Sequence, residues 1–305
     1  MDAATAPQGA VVAGVDGSAL STTALLWAAA EAERIGAPLH VVHAVIDAHM
    51  TGKLMVLGSD GPGDPEELGA QVCTDAASTV SAAHPHLTVT TEVRVGRAAP
   101  QLIEASRGAS MVVLGARGHG RVGGLLVGSV SQQVALHAQC TVVVVRETDT
   151  AGPVVVGMDG SQEAVEALRF ALRHAAGLGT AVRVVRAEYV ETPPGVPTGE
   201  WYGNVIDHIR ELTETVRSTV DDAVRDHPEL DIELRVVHQH PVDALIEQST
   251  KASLLVVGSR GLGGFAGLLL GSVSQAVLSQ AVVPVAILPH AGQPRNAPEA
   301  RGVAS

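Results

Sequence analysis

Apolar runs and amphipathic segments alternate along most of the chain. Ala10–Val15 is an apolar run that ends at Asp16, Gly17 and Ser18, which reads as a buried strand followed by turn residues. An Ala-rich stretch over 19–35 predicts a helix, with Ser18 or Ser21 as its N-cap and Gly36 near its end. Leu39–Ile46 predicts the second strand. Residues 47–65 are broken by glycine and proline and predict an irregular piece. Then come a helix over Glu66–Ala83 and a strand over Leu87–Val95. A short helix over Ala98–Arg107 and a strand over Met111–Gly115 follow. After a glycine-rich stretch, Ser129–His137 predicts a helix and Thr141–Val145 the last strand.

The pattern then starts again at Pro153. Asp159 repeats Asp16 at an offset of 143 residues. Gly258, Gly261 and Gly271 repeat Gly115, Gly118 and Gly128 at that offset, and His227–Pro228 repeats His84–Pro85. The chain is an internal duplication. The expected organisation is a loose tail over 1–9, a first domain over 10–146, a linker over 147–152, a second domain over 153–288 and a loose tail over 289–305. Strands alternating with helices imply a parallel sheet covered on both faces in each half. The predicted fold class is α/β, two tandem Rossmann-like domains, each a five-stranded parallel sheet. The last strands, Thr141–Val145 and Val283–Leu288, are expected at edges.

Composition narrows the function. The 305 residues carry a formal net charge of −12, and the only lysines are Lys53 and Lys251. That excludes a broad nucleic-acid surface. Cys73 and Cys140 make neither a disulfide framework nor a zinc cluster and read as small buried hydrophobes. The histidines show no HExxH spacing, so no metal site is expected. No apolar run reaches the ~18 residues of a spanning helix, and residues 1–7 do not read as a secretory signal. A cytoplasmic protein without membrane contact is the expectation.

The chemistry-bearing feature is the glycine-rich stretch itself. Both copies run Gly–x2–Gly–x9–Gly–Ser between a strand and a helix. Glycines there allow close backbone approach, and a helix opening at Gly–Ser offers N–H groups to an anion. With the Val–Asp–Gly–Ser at the end of the first strand, His43–Ala44–Val45 and Gly96–Arg97–Ala98–Ala99, the pattern resembles the universal stress protein family in its ATP-binding branch. The resemblance spans nearly the whole chain.

That resemblance implies ATP at two sites, with Mg2+ able to accompany it. In the first half it implies Gly14 and Asp16 beside the nucleoside and the backbone of Val45 at the adenine. Gly115, Gly118, His119, Gly120, Arg121, Gly128, Ser129 and Val130 would hold the phosphates. In the second half the matching residues are Gly157, Asp159, Glu188, Gly258, Gly261, Leu262, Gly263, Gly264, Gly271, Ser272 and Val273.

The second half departs at Glu188, a carboxylate able to reach a ribose hydroxyl, and at Leu262–Gly264, which leaves Arg260 as the loop's nearest cation. Asp16 and Asp159 are also turn chemistry, His119 is either a solvated loop residue or a phosphate contact, and Trp201–Tyr202 either lid an adenine or pack. Neither loop contains the lysine of a P-loop. The expected function is an ATP-binding regulatory protein of the stress response, not an enzyme. It would signal through nucleotide-dependent ordering of 47–65 and 191–204, as an intrachain pseudo-dimer, a homodimer and a partner of an unidentified regulatory protein. The rival is a slow ATPase or nucleotidyl-transfer enzyme.

Overall fold

A computed structural model of the chain describes residues 6–46, 65–118, 127–146, 151–189, 200–262 and 269–289. In the first half the strands are β1 (Val11–Gly14), β2 (Leu39–Val45), β3 (Val89–Val95), β4 (Met111–Gly115) and β5 (Thr141–Val145), and the helices are α1 (Ala19–Ile35), α2 (Pro65–Ala83), α3 (Ala98–Ala105) and α4 (Ser129–His137). In the second half the strands are β6 (Val154–Gly157), β7 (Val182–Ala187), β8 (Ile232–Val237), β9 (Leu254–Gly258) and β10 (Val285–Leu288). Its helices are α5 (Gln162–Leu178), α6 (Glu200–Asp226), α7 (Pro241–Gln248) and α8 (Ser272–Gln280).

The strand order is β3-β2-β1-β4-β5 in the first half and β8-β7-β6-β9-β10 in the second. Val11 stands opposite Leu39 and Met111, and Val154 opposite Val182 and Leu254. The duplicated register confirms the parallel α/β class. In each half the first strand lies between the second and fourth, so the crossover direction reverses beside it. That is the switch point where such sheets open a crevice.

The strands are continuous apolar runs because both faces are covered. Helices α1 and α2 contact each other, and α3 contacts α4; the second half repeats the latter pairing with α7 and α8. Val11, Val12, Val41 and Val42 are at most 1% exposed, and burying such a side chain contributes about 1.5–3 kcal/mol. Ser18 caps α1 by accepting from the Ser21 N–H, so Ser18, not Ser21, is the N-cap. Gly36 ends that helix at φ 67, and Gly179 ends α5 at φ 64.

Several expected boundaries move. Residues 6–9 are not a loose tail: Ala6 is buried and the Gly9 N–H donates to the Gly108 carbonyl at 2.7 Å. Thr180 Oγ1 donates to the Gly152 carbonyl, so Gly152 belongs to the second half rather than to a linker. Two compact units emerge, and their boundary falls inside β5, between Val142 and Val143. Arg146 goes with the second unit, where its buried guanidinium donates to the carbonyls of Leu278 and Val283. The strand expected over 283–288 starts at Val285. Helix α6 begins at Glu200, so Trp201 and Tyr202 lie in its first turn. Residues 1–5, 47–64, 190–199 and 290–305 lie outside the described residues.

Candidate functional site

The aspartates at the ends of β1 and β6 build the floor of the site. Asp16 Oδ1 accepts from the Ser18 N–H at 3.0 Å and from the Ser18 hydroxyl at 2.6 Å. Asp159 Oδ1 accepts from the Ser161 N–H at 2.9 Å, and its Oδ2 accepts from the Leu262 N–H at 2.9 Å. At Asp159 one oxygen closes the turn and the other ties down the glycine-rich stretch. Gly118 and Gly261 stand against these carboxylates so closely that a Cβ on either would collide with Oδ2 of Asp16 or Asp159.

The base of each glycine-rich stretch is closed. The Gly128 N–H donates to the Ala116 carbonyl at 2.6 Å, and the Gly271 N–H to the Ser259 carbonyl at 2.7 Å. Ser131 and Ser274, on the helices that follow, donate to the carbonyls of Gly115 and Gly258. Gly128 and Gly271 are N-caps without a side-chain hydrogen bond. The leading N–H groups of α4 and α8, including those of Ser129, Val130, Ser272 and Val273, therefore have no capping side chain. Such an end favours an anion.

In the second half these parts line a cavity of about 610 Å³. Gly157, Asp159, Gly258, Gly261, Leu262, Gly271, Ser272 and Val273, all singled out in the sequence, line it. Gly157 also leaves room for Leu245 of α7 to approach the sheet, as Gly14 does for Leu102 of α3.

Glu188 is not part of the cavity lining: its Oε1 accepts from the Thr213 hydroxyl of α6 at 2.5 Å and its Oε2 lies 3.1 Å from His238 Nε2. Val45 is buried, and its carbonyl accepts from the Gly96 N–H at 2.7 Å. His119, Gly120, Arg121, Gly263 and Gly264 lie outside the described residues.

Sequence reasoning missed Arg186 and Tyr189. Arg186, on β7, is 6% exposed and lines the cavity. Its Nη1 donates to the Asp159 carbonyl at 3.3 Å, while its buried Nε finds no acceptor. Burial pushes the Arg186 guanidinium below its usual range, and the charges of Asp159 and Glu188 pull it back up. Arg260 Nε is likewise buried without an acceptor on the same cavity. Tyr189 is half-exposed at the cavity wall, edge-on to His240 with ring centroids 5.3 Å apart. The available signal was a charged residue one place from the end of β7, where the first half has His43.

Among the described residues no group of three His, Cys, Asp or Glu is placed to hold a metal. Burial raises the Cys73 thiol above its usual range. No described helix is long and apolar enough to cross a membrane.

Comparison with known proteins agrees with this architecture. The model of the universal stress protein family matches residues 9–146 and again 151–289. A universal stress protein of Mycolicibacterium smegmatis is 35% identical over 296 residues, covering 91% of this chain and 96% of that one. A universal stress protein of Mycobacterium tuberculosis is 32% identical over 287 residues, covering 91% and 95%. Among solved structures, a universal stress protein from Archaeoglobus fulgidus superposes with a TM-score of 0.64 at 20% identity, over 92% of this chain and 96% of that one.

Proposed function

Because the chain belongs to the universal stress protein family, we propose that it is a nucleotide-holding regulatory protein of the stress response, with one nucleotide in each half and ATP as the ligand its motifs imply. One observation carries the reading. The second-half cavity joins an anion-favouring helix start to two arginines, buried Arg186 and half-buried Arg260, whose buried Nε atoms lack acceptors among the described residues. A buried donor left unmade costs about 1–3 kcal/mol. A ligand that brings oxygen acceptors offsets that cost.

The volume of about 610 Å³ suits a nucleotide-sized ligand. Residues of the first half repeat the turn, the closed loop base and the helix start, which extends the proposal to a second site. Asp159 does not serve as a general base here, because both of its oxygens accept backbone N–H bonds. The reading is therefore retention of nucleotide rather than turnover, with the occupied loops presenting a surface to a partner.

The test is nucleotide content of the protein as purified, alongside phosphate release during incubation with ATP. Retained, intact nucleotide in both halves supports the proposal. Sustained release of phosphate over many turnovers would replace it with the slow-ATPase reading. Protein that carries no nucleotide and shows no thermal response to ATP would end both.

A further inference from the structure

We propose that Tyr189 is an aromatic platform on which the base of the second half's nucleotide stacks. The inference rests on the nucleotide-holding reading of the same cavity and names the side chain that meets the base.

The end of β7 sorts its side chains by face, as successive residues of a strand do. The Glu188 N–H donates to the Val237 carbonyl at 2.8 Å, so strand pairing continues one residue past β7. Glu188 then accepts from Thr213 of α6, which marks its face as the α6 side. Tyr189 stands against His240, the N-cap of α7. Val185, Ala187 and Tyr189 thus form one column on the α7 side, and all three line the cavity. Pro241 and Leu245 of α7 line it with them. This wall is apolar and ends in a ring.

The ring is held but not covered. His240 is fixed at the start of α7, where its Nδ1 accepts from the Val242 N–H at 3.4 Å. Tyr189 meets it with ring centroids 5.3 Å apart and an interplanar angle of 72°, a favourable edge-on contact. Tyr189 nevertheless stays 50% exposed. Strand β7 lies two places from β9 in the sheet, about 10 Å at ordinary strand spacing. The glycine-rich stretch and the start of α8 follow β9. A nucleotide whose phosphates meet α8 carries its base toward the Tyr189 wall. Every base has a π-face, so such a ring strengthens binding without choosing the base. At the corresponding place, 143 positions earlier, the first half has Ile46, which offers no π-face. The two halves therefore differ in how firmly they hold a base.

The test uses the full chain stripped of nucleotide, with ATP and with tripolyphosphate, which has phosphates but no base. Tetranitromethane nitrates accessible tyrosine rings, and peptide mass spectrometry reads Tyr189 separately from Tyr202. The free protein is expected to be nitrated at Tyr189, saturating ATP to suppress that reaction, and tripolyphosphate to leave it unchanged. In equilibrium dialysis Tyr189→Ala is expected to weaken one of the two ATP sites by about 10-fold, with Tyr189→Phe binding as wild type does. The nitration arm uses wild type, so it decides the question even if Tyr189→Ala fails to fold. Bound ATP that leaves Tyr189 nitration unchanged, protection by tripolyphosphate equal to that by ATP, or unaltered ATP affinity in Tyr189→Ala overturns the inference and leaves the nucleotide-holding reading intact. A wild type that binds no ATP in dialysis overturns both.

Discussion

At the scale of single residues, the firmest polar cluster lies away from the cavity. Glu92 Oε2 accepts from Arg94 Nε at 2.8 Å and lies 3.1 Å from His40 Nε2. Arg94 is 7% exposed and His40 3%. Replacing Glu92 by leucine removes the carboxylate and leaves the cation in place. Breaking one side of a buried pair costs about 3–5 kcal/mol. Because the Glu92 side chain retains 13% exposure, Glu92→Leu is expected to cost toward the lower figure, about 3 kcal/mol. Urea unfolding would measure it, and an unchanged midpoint would show that the cluster contributes nothing. The residue scale also shows what the sequence makes legible and what it hides. Asp16 and Asp159 were legible because Asp–Gly–Ser after an apolar run has few structural uses. Arg186 was not, because an arginine near the end of a short strand reads as an exit to solvent. Only the fold reveals that it turns back under the Asp159 carbonyl.

At the scale of elements, helix ends carried the most readable information. Ser18 and Ser161 cap α1 and α5 through the N–H groups of Ser21 and Ala164, and both helices stop at a glycine in the left-handed region. Gly36 has nothing within 4 Å of where a Cβ would stand, so substitution there tests backbone conformation alone. Gly36→Ala is expected to destabilise the protein by about 1–2 kcal/mol, read as a lowered midpoint in thermal unfolding without loss of helix content. No loss at all would mean the chain leaves α1 by another route. The start of α6 was hidden because Glu200 follows a run of proline and glycine. Its 27 residues are held by packing of an amphipathic face, not by an N-terminal signal. The edges of β3 and β8 carry Glu92, Arg94, Glu233 and Arg235, charges of the kind that keep an edge strand from pairing adventitiously.

At the scale of the molecule, the repeat made the fold readable. One half alone would leave its glycine-rich stretch ambiguous. The second copy, at the same offset with the same flanking strand and helix, marks the stretch as a repeated feature, and the structure carries the repeat down to strand register. What the repeat concealed was divergence. Positions 43 and 186, or 45 and 188, look like minor substitutions in the sequence, yet they change hydrogen-bond character or redirect a carboxylate to α6. Ligand binding is expected to stabilise the whole by mass action: nucleotide at a hundred times its dissociation constant adds about 2.7 kcal/mol per site. Differential scanning calorimetry with rising ATP would read this as a concentration-dependent shift of the unfolding temperature. A flat response would remove ATP as the ligand of either half.

The contact between Gly118 and Asp16, repeated at Gly261 and Asp159, also restricts the order in which mutations can be accepted. A side chain gained at the glycine while the aspartate is present displaces a carboxylate that organises the turn. After loss of the aspartate, the same gain meets no such oxygen. The two positions are therefore epistatic, and the path is one-way: aspartate first, glycine second. With two copies of the pair in one chain, drift can retire one half along that path while selection holds the other. Among descendants of this duplication, halves with a substituted glycine but an intact aspartate should be missing.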